Sequence, residues 1–251
     1  MIFYKSDDEI QIMRESGRIV ADVLAHVKPR IKSGMSTFEV EAIALDRLKS
    51  IAPDAVPSFK GYMGYPASIC ISINSEVVHG IPSKKKIILD GDIVSIDFGI
   101  VHKGYNGDAA FSVVVGKGTQ EANNLVKVAE ESLYEGIKQA KVGKRLHDIS
   151  SAIQDHVESH GYSVVRDFVG HGIGRNMHEA PQVPNFGEPN TGVKIESGMT
   201  IAVEPMVNVG GYDVLVLNDG WTAVTSDGSL SAHFEHTLAI TNNGTFILTE
   251  L

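Results

Sequence analysis

Two acidic residues in this 251-residue chain occupy positions where the surrounding pattern is otherwise apolar. Asp97 lies inside one apolar run, and Asp108 begins a second run that we expect to pair with the first. If residues 102 and 103 form the turn between them, the two acids lie directly opposite each other, about 5 Å apart. Another turn would shift this pairing by one or two residues. Like charges at that distance repel by about 3 kcal/mol at an effective dielectric constant near 20. Shared protonation, a basic partner or a bound cation must offset this repulsion.

An internal repeat adds two more acids to this pair. The pattern around Asp97 recurs around Glu204, and the pattern after Asp108 recurs after Glu235. Two further matches follow the same order, Gly34 with Gly143 and residues 59–62 with 168–171. Self-similarity in a fixed order indicates a diverged duplication. We therefore expect the four carboxylates to meet near a pseudo-two-fold axis.

Divalent cations are the simplest partner for such a cluster, because neither Arg nor Lys recurs in these segments. His171 lies in a glycine-rich segment, where the backbone is able to approach a metal closely. An imidazole ligand shifts the preference from Mg²⁺ or Ca²⁺ toward transition metals. His178 and His79 are within reach of the same cleft, whereas the histidines on predicted helices are interpreted as surface residues.

The rest of the sequence predicts the elements that position these residues. Two capping boxes, Ser6 with Glu9 and Ser36 with Glu39, each begin an amphipathic helix. A second helix pair is predicted at about 119–141 and 145–160. Four β-rich segments are predicted to be strands, at 93–101, 105–115, 236–241 and 245–249.

These elements predict an α+β fold in which two helix pairs cover one face of a curved, mainly antiparallel sheet. The site would then occupy the other face. We expect a single catalytic domain, residues 1–251, whose duplicated halves span about 1–116 and 117–251.

Composition excludes several classes of protein. The single cysteine, Cys70, allows no intramolecular disulfide and no cysteine-based zinc site. The charged N-terminus is not expected to be a signal peptide, and no apolar run is long enough to span a membrane. A net charge of −9 argues against a general nucleic-acid-binding protein. The basic run 84–86 is interpreted as a solvated loop, with a docking contact to ribosomal RNA as the alternative.

The motifs of the chain closely resemble those of the type I methionine aminopeptidases, which have the pita-bread metallopeptidase fold. The resemblance covers nearly the whole chain and is closest to the short bacterial form. The motifs that carry it lie at residues 74–80, 96–99, 107–110, 170–172, 202–205 and 233–236.

This resemblance implies a metal-dependent hydrolase that removes the initiator methionine from nascent proteins and peptides. It implies a monomer in the cytoplasm, with two divalent ions drawn from Co, Mn, Fe, Zn and Ni. The implied metal ligands are Asp97, Asp108, His171, Glu204 and Glu235. The implied catalytic residues are His79, His178 and Glu204, and the implied substrate-binding residues are His79, His178, Tyr62, Tyr65, Cys70, Trp221, Phe59 and Met177. Asn74 and Ser231 match a family site for Na⁺ or K⁺.

Residue chemistry is consistent with this mechanism. Two metals lower the pKa of a bridging water, which becomes the nucleophile, and polarise the scissile carbonyl. Glu204 would carry a proton to the leaving amine, His178 would donate to the oxyanion, and His79 would bond the next amide of the substrate. An aromatic pocket with a sulfur atom suits a thioether. Phe59 and Met177 depart from the bacterial pattern, which has Cys and an aromatic residue there.

Three rival functions are weaker. An enzyme of the same fold that cleaves before proline usually has a large N-terminal domain, for which we expect no room. A non-catalytic binding protein would be expected to lose metal ligands. A Mg²⁺-dependent phosphotransferase would need a phosphate-binding loop, and residues 170–174 lack the G-x-G-x-x-G spacing and a following lysine.

Overall fold

The computed structural model describes residues 1–251. The helices are α1 (Asp7–Val27), α2 (Thr37–Ile51), α3 (Gln120–Ile137) and α4 (Leu146–Ser159), with 3₁₀ turns at Lys28–Arg30 and Tyr62–Gly64. The strands are β1 (Val56–Pro57), β2 (Cys70–Ile73), β3 (Glu76–Val78), β4 (Ile93–His102), β5 (Tyr105–Val114), β6 (Ser163–Val164), β7 (Gly170–Gly172), β8 (Glu179–Val183), β9 (Met199–Val203), β10 (Met206–Asn208), β11 (Val214–Val216), β12 (Ala223–Thr225), β13 (Ser231–His233), β14 (Glu235–Thr241) and β15 (Gly244–Ile247). None of the helices combines the length and apolar content needed to cross a bilayer.

Both predicted capping boxes are present. The hydroxyl of Ser6 accepts a bond from the Glu9 amide at 3.3 Å, and the Glu9 carboxylate accepts one from the Ser6 amide at 2.9 Å. Ser36 and Glu39 make the same reciprocal pair at the start of α2. Each box satisfies amides that the first helical turn leaves without partners, and a cap of this kind contributes about 1 kcal/mol.

Nine strands form one antiparallel sheet in the order β1-β4-β5-β14-β9-β7-β8, in which β2 also pairs with β4 and β15 with β14. Three-stranded sheets β13-β10-β6 and β11-β12-β3 complete the structure. The central strands β4-β5-β14-β9 have matching partners at their outer sides, β2 beside β4 and β7 beside β9. This curved antiparallel sheet with four helices confirms the predicted α+β class.

The hairpin between β4 and β5 corrects one prediction. The turn is Lys103–Gly104, with φ of 49° and 81° at these residues. Positive φ at both central positions is typical of a type I′ turn, which matches the twist of the paired strands. Gly99 therefore lies opposite Asp108, and Asp97 lies opposite Ala110. Direct opposition of the two acids was wrong. Because the pairing moves by two residues, both acids stay on the same face of the sheet.

The helices bury the opposite face of the sheet. Helix α1 packs on β4, β5 and α2, while α3 packs on α4 and contacts β5, β9, β10 and β13. One large hydrophobic core includes Val20 and Val40 from the first helix pair and Leu125 and Ile149 from the second. The two helix pairs therefore share one core.

Helix α1 approaches β5 and the residue after β15 closely, and two glycines make these contacts possible. A Cβ atom on Gly17 would lie 2.3 Å from the carbonyl oxygen of Leu248. A Cβ on Gly107, the residue before Asp108, would lie 2.8 Å from the backbone nitrogen of Gly17. These contacts are with backbone atoms, which are unable to rotate away. Helix α1 thus sets the position of the strand that carries Asp108.

We expect Gly17→Ala to lower the free energy of unfolding. Overpacking against backbone costs about 1 to 3 kcal/mol, which exceeds the gain of about 1 kcal/mol in helix propensity. Gly211→Ala is the matched control, because its nearest atom, Asp227 Oδ2, would be 3.7 Å away. Urea denaturation of both variants measures the difference. A Gly17→Ala protein as stable as the control would show that α1 is able to move away from Leu248 without loss of stability.

Candidate metal centre and binding cavity

Five neighbouring strands each bring one predicted ligand to the same face. The strand order β4-β5-β14-β9-β7 places them side by side. The residues are Asp97 on β4, Asp108 on β5, Glu235 at the start of β14, Glu204 directly after β9 and His171 on β7. Antiparallel pairing therefore collects residues that are far apart in sequence.

The side chains lie close enough together to bind the same metal ion. Potential ligand atoms of Asp108, His171 and Glu235 all lie within 4.8 Å of each other. The side chain of Asp97 lines the same cavity as these three residues. His171 Nε2 is 3.5 Å from Glu204 Oε1, so the fifth residue joins the same cluster.

Burial makes the negative charge of this cluster costly. Burial raises the pKa of Asp97 to about 7. It also raises the pKa values of Asp108, Glu204 and Glu235 well above their ordinary range, and repulsion between the carboxylates adds to this effect. Buried oxygens on three of these acids, Asp97 Oδ1, Asp108 Oδ1 and Glu235 Oε1, have no hydrogen-bond partner. Unpaired buried charges call for a cation.

The geometry of His171 fits a metal ligand. Its Nδ1 donates to the carbonyl of Gly172 at 2.9 Å, which leaves the lone pair of Nε2 directed at the acids. Burial lowers its pKa to about 3, so the imidazole is neutral. A backbone carbonyl that orients the free nitrogen is a common arrangement behind metal-bound histidine. The oxygen and imidazole donors together fit a divalent cation.

Sequence reasoning did not assign His233 to the site. Its Nε2 lies 3.9 Å from Glu204 Oε2 and has no hydrogen-bond partner. It forms a second compact group of potential ligands with Glu204 and Glu235. Burial lowers the pKa of His233 to about 3. The spacing of two residues between His233 and Glu235 was the available signal, because alternate residues of an extended segment share a face.

A cavity of about 150 Å³ opens beside the acids. Every predicted substrate-binding residue lines it, namely Phe59, Tyr62, Tyr65, Cys70, His79, Met177, His178 and Trp221. Met63, which was not predicted, also lines the cavity. It adopts a left-handed conformation with φ of 48°, which the sequence pattern did not indicate. The five predicted metal ligands form the acidic wall.

Aromatic contacts hold the apolar part of the cavity in place. The rings of Tyr65 and Trp221 meet edge to face with centroids 5.1 Å apart. The hydroxyl of Tyr65 lies 3.1 Å from the Gly80 carbonyl, to which it donates. Cys70 pairs with Asp97 across β2 and β4, and burial raises the pKa of its thiol, which therefore stays protonated. Cys70 thus joins the apolar wall to the strand that carries Asp97.

The observed pairing of β4 with β5 places a glycine beside the cavity. Gly99 lies opposite Asp108, where a Cβ would be 3.0 Å from Asp108 Oδ1 and 3.0 Å from the ring of Phe59. Glycine therefore leaves room for both the acid and the aromatic wall.

Two further histidines lie on the rim. His178 Nδ1 is 2.8 Å from the Tyr62 hydroxyl, and its ring lies 4.2 Å from that of His171. His79 has φ of 61° and packs edge to face on Phe168 at 5.3 Å. Such strained backbone clusters at functional sites. Burial lowers the pKa of His79 to about 4, so its ring is neutral at pH 7.

A buried ion pair anchors the segment that carries His178. The Lys5 ammonium contacts the carboxylate of the adjacent Glu179, and these side chains are only 5% and 4% exposed. The same carboxylate accepts a bond from the Asn176 amide at 3.1 Å. The N-terminal segment thereby holds the loop against the sheet.

Asn74 and Ser231 also lie together. The Ser231 amide donates to the Asn74 carbonyl at 2.8 Å, and Ser231 Oγ is buried without a partner. The Asn74 side chain is already used, because it bonds the carboxylate of Asp92 and the amide of Ile93. A cation here would thus be held by carbonyl and hydroxyl oxygens rather than by the amide group.

Comparison with known proteins agrees with this geometry. The profile of metallopeptidase family M24 matches residues 11–242. The methionine aminopeptidase of Clostridium acetobutylicum is 51% identical over 249 residues, which cover 99% of each chain. The crystal structure of methionine aminopeptidase from Thermotoga maritima superposes with a TM-score of 0.97 at 49% identity and covers 100% of both chains. The Xaa-Pro dipeptidase of Bacillus anthracis shares the fold at 25% identity and a TM-score of 0.78, over 99% of this chain and 62% of that one.

The profile match extends over most of the chain and includes all five residues of the acidic and imidazole cluster. The chain belongs to metallopeptidase family M24.

Proposed function

We propose that this protein is a metal-dependent aminopeptidase that removes N-terminal methionine from proteins and peptides. The observation that carries this proposal is the aromatic cavity with one thiol, which lies directly against the acidic cluster. A thioether fits such a wall because sulfur packs favourably against aromatic rings. The high identity to methionine aminopeptidases over full length supports the same substrate.

We propose that Asp97, Asp108, His171, Glu204 and Glu235 hold two divalent ions. Mn, Fe, Co, Zn and Ni all suit this mixture of oxygen and imidazole donors. When bound, the ions would supply an activated water and a polarised scissile carbonyl. Asn74 and Ser231 are proposed to hold one Na⁺ or K⁺ ion.

Three residues of the chain are assigned roles toward the peptide. Glu204 faces both the ligand cluster and the cavity, so it would carry the proton from the attacking water to the leaving amine. His178, oriented by Tyr62, would donate to the developing oxyanion, an interaction worth about 3 kcal/mol. His79, on the same rim, would bond the next amide. The eight cavity residues would hold the methionine side chain and orient the bond.

The proposed function also implies a domain organisation, an oligomeric state and a location for the protein. We infer that residues 1–251 act as one catalytic domain, because the halves 1–116 and 117–251 share one core. We propose that the protein is a monomer, as the resemblance implies. Nascent N-termini emerge in the cytoplasm, which is therefore the proposed location. A ribosome contact is proposed for the basic run 84–86, in which Lys86 pairs with Glu76 at 2.7 Å and Lys84 lies over the ring of Phe38.

Activity should depend on a divalent metal and on an N-terminal methionine. Protein stripped with a chelator and reloaded with Mn²⁺ or Co²⁺ is offered Met-Ala-Ser and Ala-Pro-Ser in parallel. We expect cleavage of Met-Ala-Ser only after metal is restored, measured as released methionine. Preference for the proline peptide, or cleavage that survives chelation, would refute the proposed function.

Asp108→Asn should remove both metal binding and activity. Because a carboxylate ligand is lost, we expect the rate to fall by at least about 100-fold and bound metal to decrease in elemental analysis. Asp155→Asn, on the exposed side of α4, is the matched control and should bind metal normally. A fully active Asp108→Asn protein would exclude Asp108 from the site.

The metal-free protein should lose stability as pH rises. Asp97 has a pKa near 7 when folded and an ordinary pKa of about 3.9 when unfolded, so the folded state binds more protons between these values. This carboxyl alone would lower the free energy of unfolding by about 3 kcal/mol between pH 4 and pH 7. Urea denaturation with excess chelator measures the slope. Saturating Mn²⁺ should abolish this decrease in stability with pH. A metal-free protein whose free energy of unfolding does not change with pH would contradict the raised pKa of Asp97.

A further inference from the structure

Strand β11 exposes a run of apolar side chains next to the cavity. Leu215, Val216 and Leu217 are 58%, 57% and 43% exposed. Large apolar side chains occur singly on most protein surfaces, but a consecutive run indicates an interaction surface. The neighbouring Asp213 and Asp219 are exposed acids, and their charge disfavours RNA or a phosphate group as the partner.

The backbone of β11 has one open edge. This strand is the last in the sheet β11-β12-β3, so it pairs on one side only. The Leu217 amide donates to Thr222 at 2.9 Å, and the Ser226 amide donates to Asp213 at 3.0 Å. Antiparallel bonding alternates along a strand, so Val214 and Val216 direct their amide and carbonyl groups away from β12. These groups are available to an added strand.

The sheet that contains β11 is continuous with the proposed active site. Trp221, which lines the cavity, lies in the turn between β11 and β12. Strand β12 pairs with β3, and His79 follows directly after β3. One small sheet therefore connects the open edge to both a wall of the methionine pocket and the histidine proposed to contact the next amide.

Building on the proposed function, we propose that the open edge of β11 binds the extended polypeptide substrate downstream of its methionine. Main-chain hydrogen bonds of this kind recognise any extended sequence, which suits an enzyme whose substrates differ after their first residues. Two strand spacings, roughly 10 Å, separate β11 from β3. An extended chain rises about 3.3 Å per residue, so a tripeptide held at the pocket is too short to reach the edge.

The test compares Met-Ala-Ser with a ten-residue peptide that begins with the same three residues. We expect the longer peptide to have a KM roughly tenfold lower, because a few net hydrogen bonds together give that factor. Val216→Pro removes an outward amide without breaking a bond to β12, a substitution that edge strands tolerate. It should raise KM for the long peptide only. The matched control, Val216→Ile, keeps both the amide and an apolar side chain, so it isolates the effect of the lost amide and should give the KM of the unmodified protein.

A second probe does not depend on how the variant folds. Ten-residue peptides N-methylated at alternate amides from the fifth residue onward lack the hydrogens needed for pairing, so they should lose the length advantage on the unmodified protein. Equal KM values for the short and long peptides would overturn the inference and leave the proposed function intact. Absence of tripeptide cleavage would instead refute the proposed function. A dimer in sedimentation that Val216→Pro dissociates would assign the edge to a second copy and overturn substrate binding there.

Discussion

The structure is organised around the burial of four carboxylates at the centre of one sheet. Buried acids repel one another and raise one another's pKa, and this chain places no lysine or arginine among them. The repulsion is tolerable in a folded protein only if cations share the site or if the acids take up protons. The surrounding apolar core supplies the folding free energy that makes this concentration of charge possible.

The two faces of the central strands have different roles, because one packs in the core and the other carries the acids. Alternate residues point to opposite faces, so Ile96 and Phe98 enter the core while Asp97 between them faces the cavity. Helices seal the apolar face, and the close contact between Gly17 and Gly107 fixes the strand of Asp108 against α1. Packing on the far side of the sheet therefore holds the cluster of acids in position.

The fold alone does not determine the substrate, since a Xaa-Pro dipeptidase shares it. The proposed specificity rests instead on the residues that lie beside the acids. Tyr65, Trp221 and Cys70 make an apolar wall close to the acidic cluster, and the loop anchored by Lys5 and Glu179 brings His178 to the opposite rim. These parts belong to separate loops and short strands outside the central strands that carry the acids.

The sequence by itself determined the helix starts, the two central hairpins and the four acids, because each depends on local capping, on turn residues or on an acid in an apolar run. Resemblance to a family supplied the pocket residues, and the structure places them around one cavity. The structure corrected the register of Asp97 and Asp108, which the local type I′ turn at Lys103–Gly104 selects and which the sequence prediction placed one residue too early. Only the tertiary structure brought His233 to Glu204 and left β11 with an open edge. These features depend on which strands become neighbours, and strand neighbours are set by packing across the whole chain rather than by local pattern.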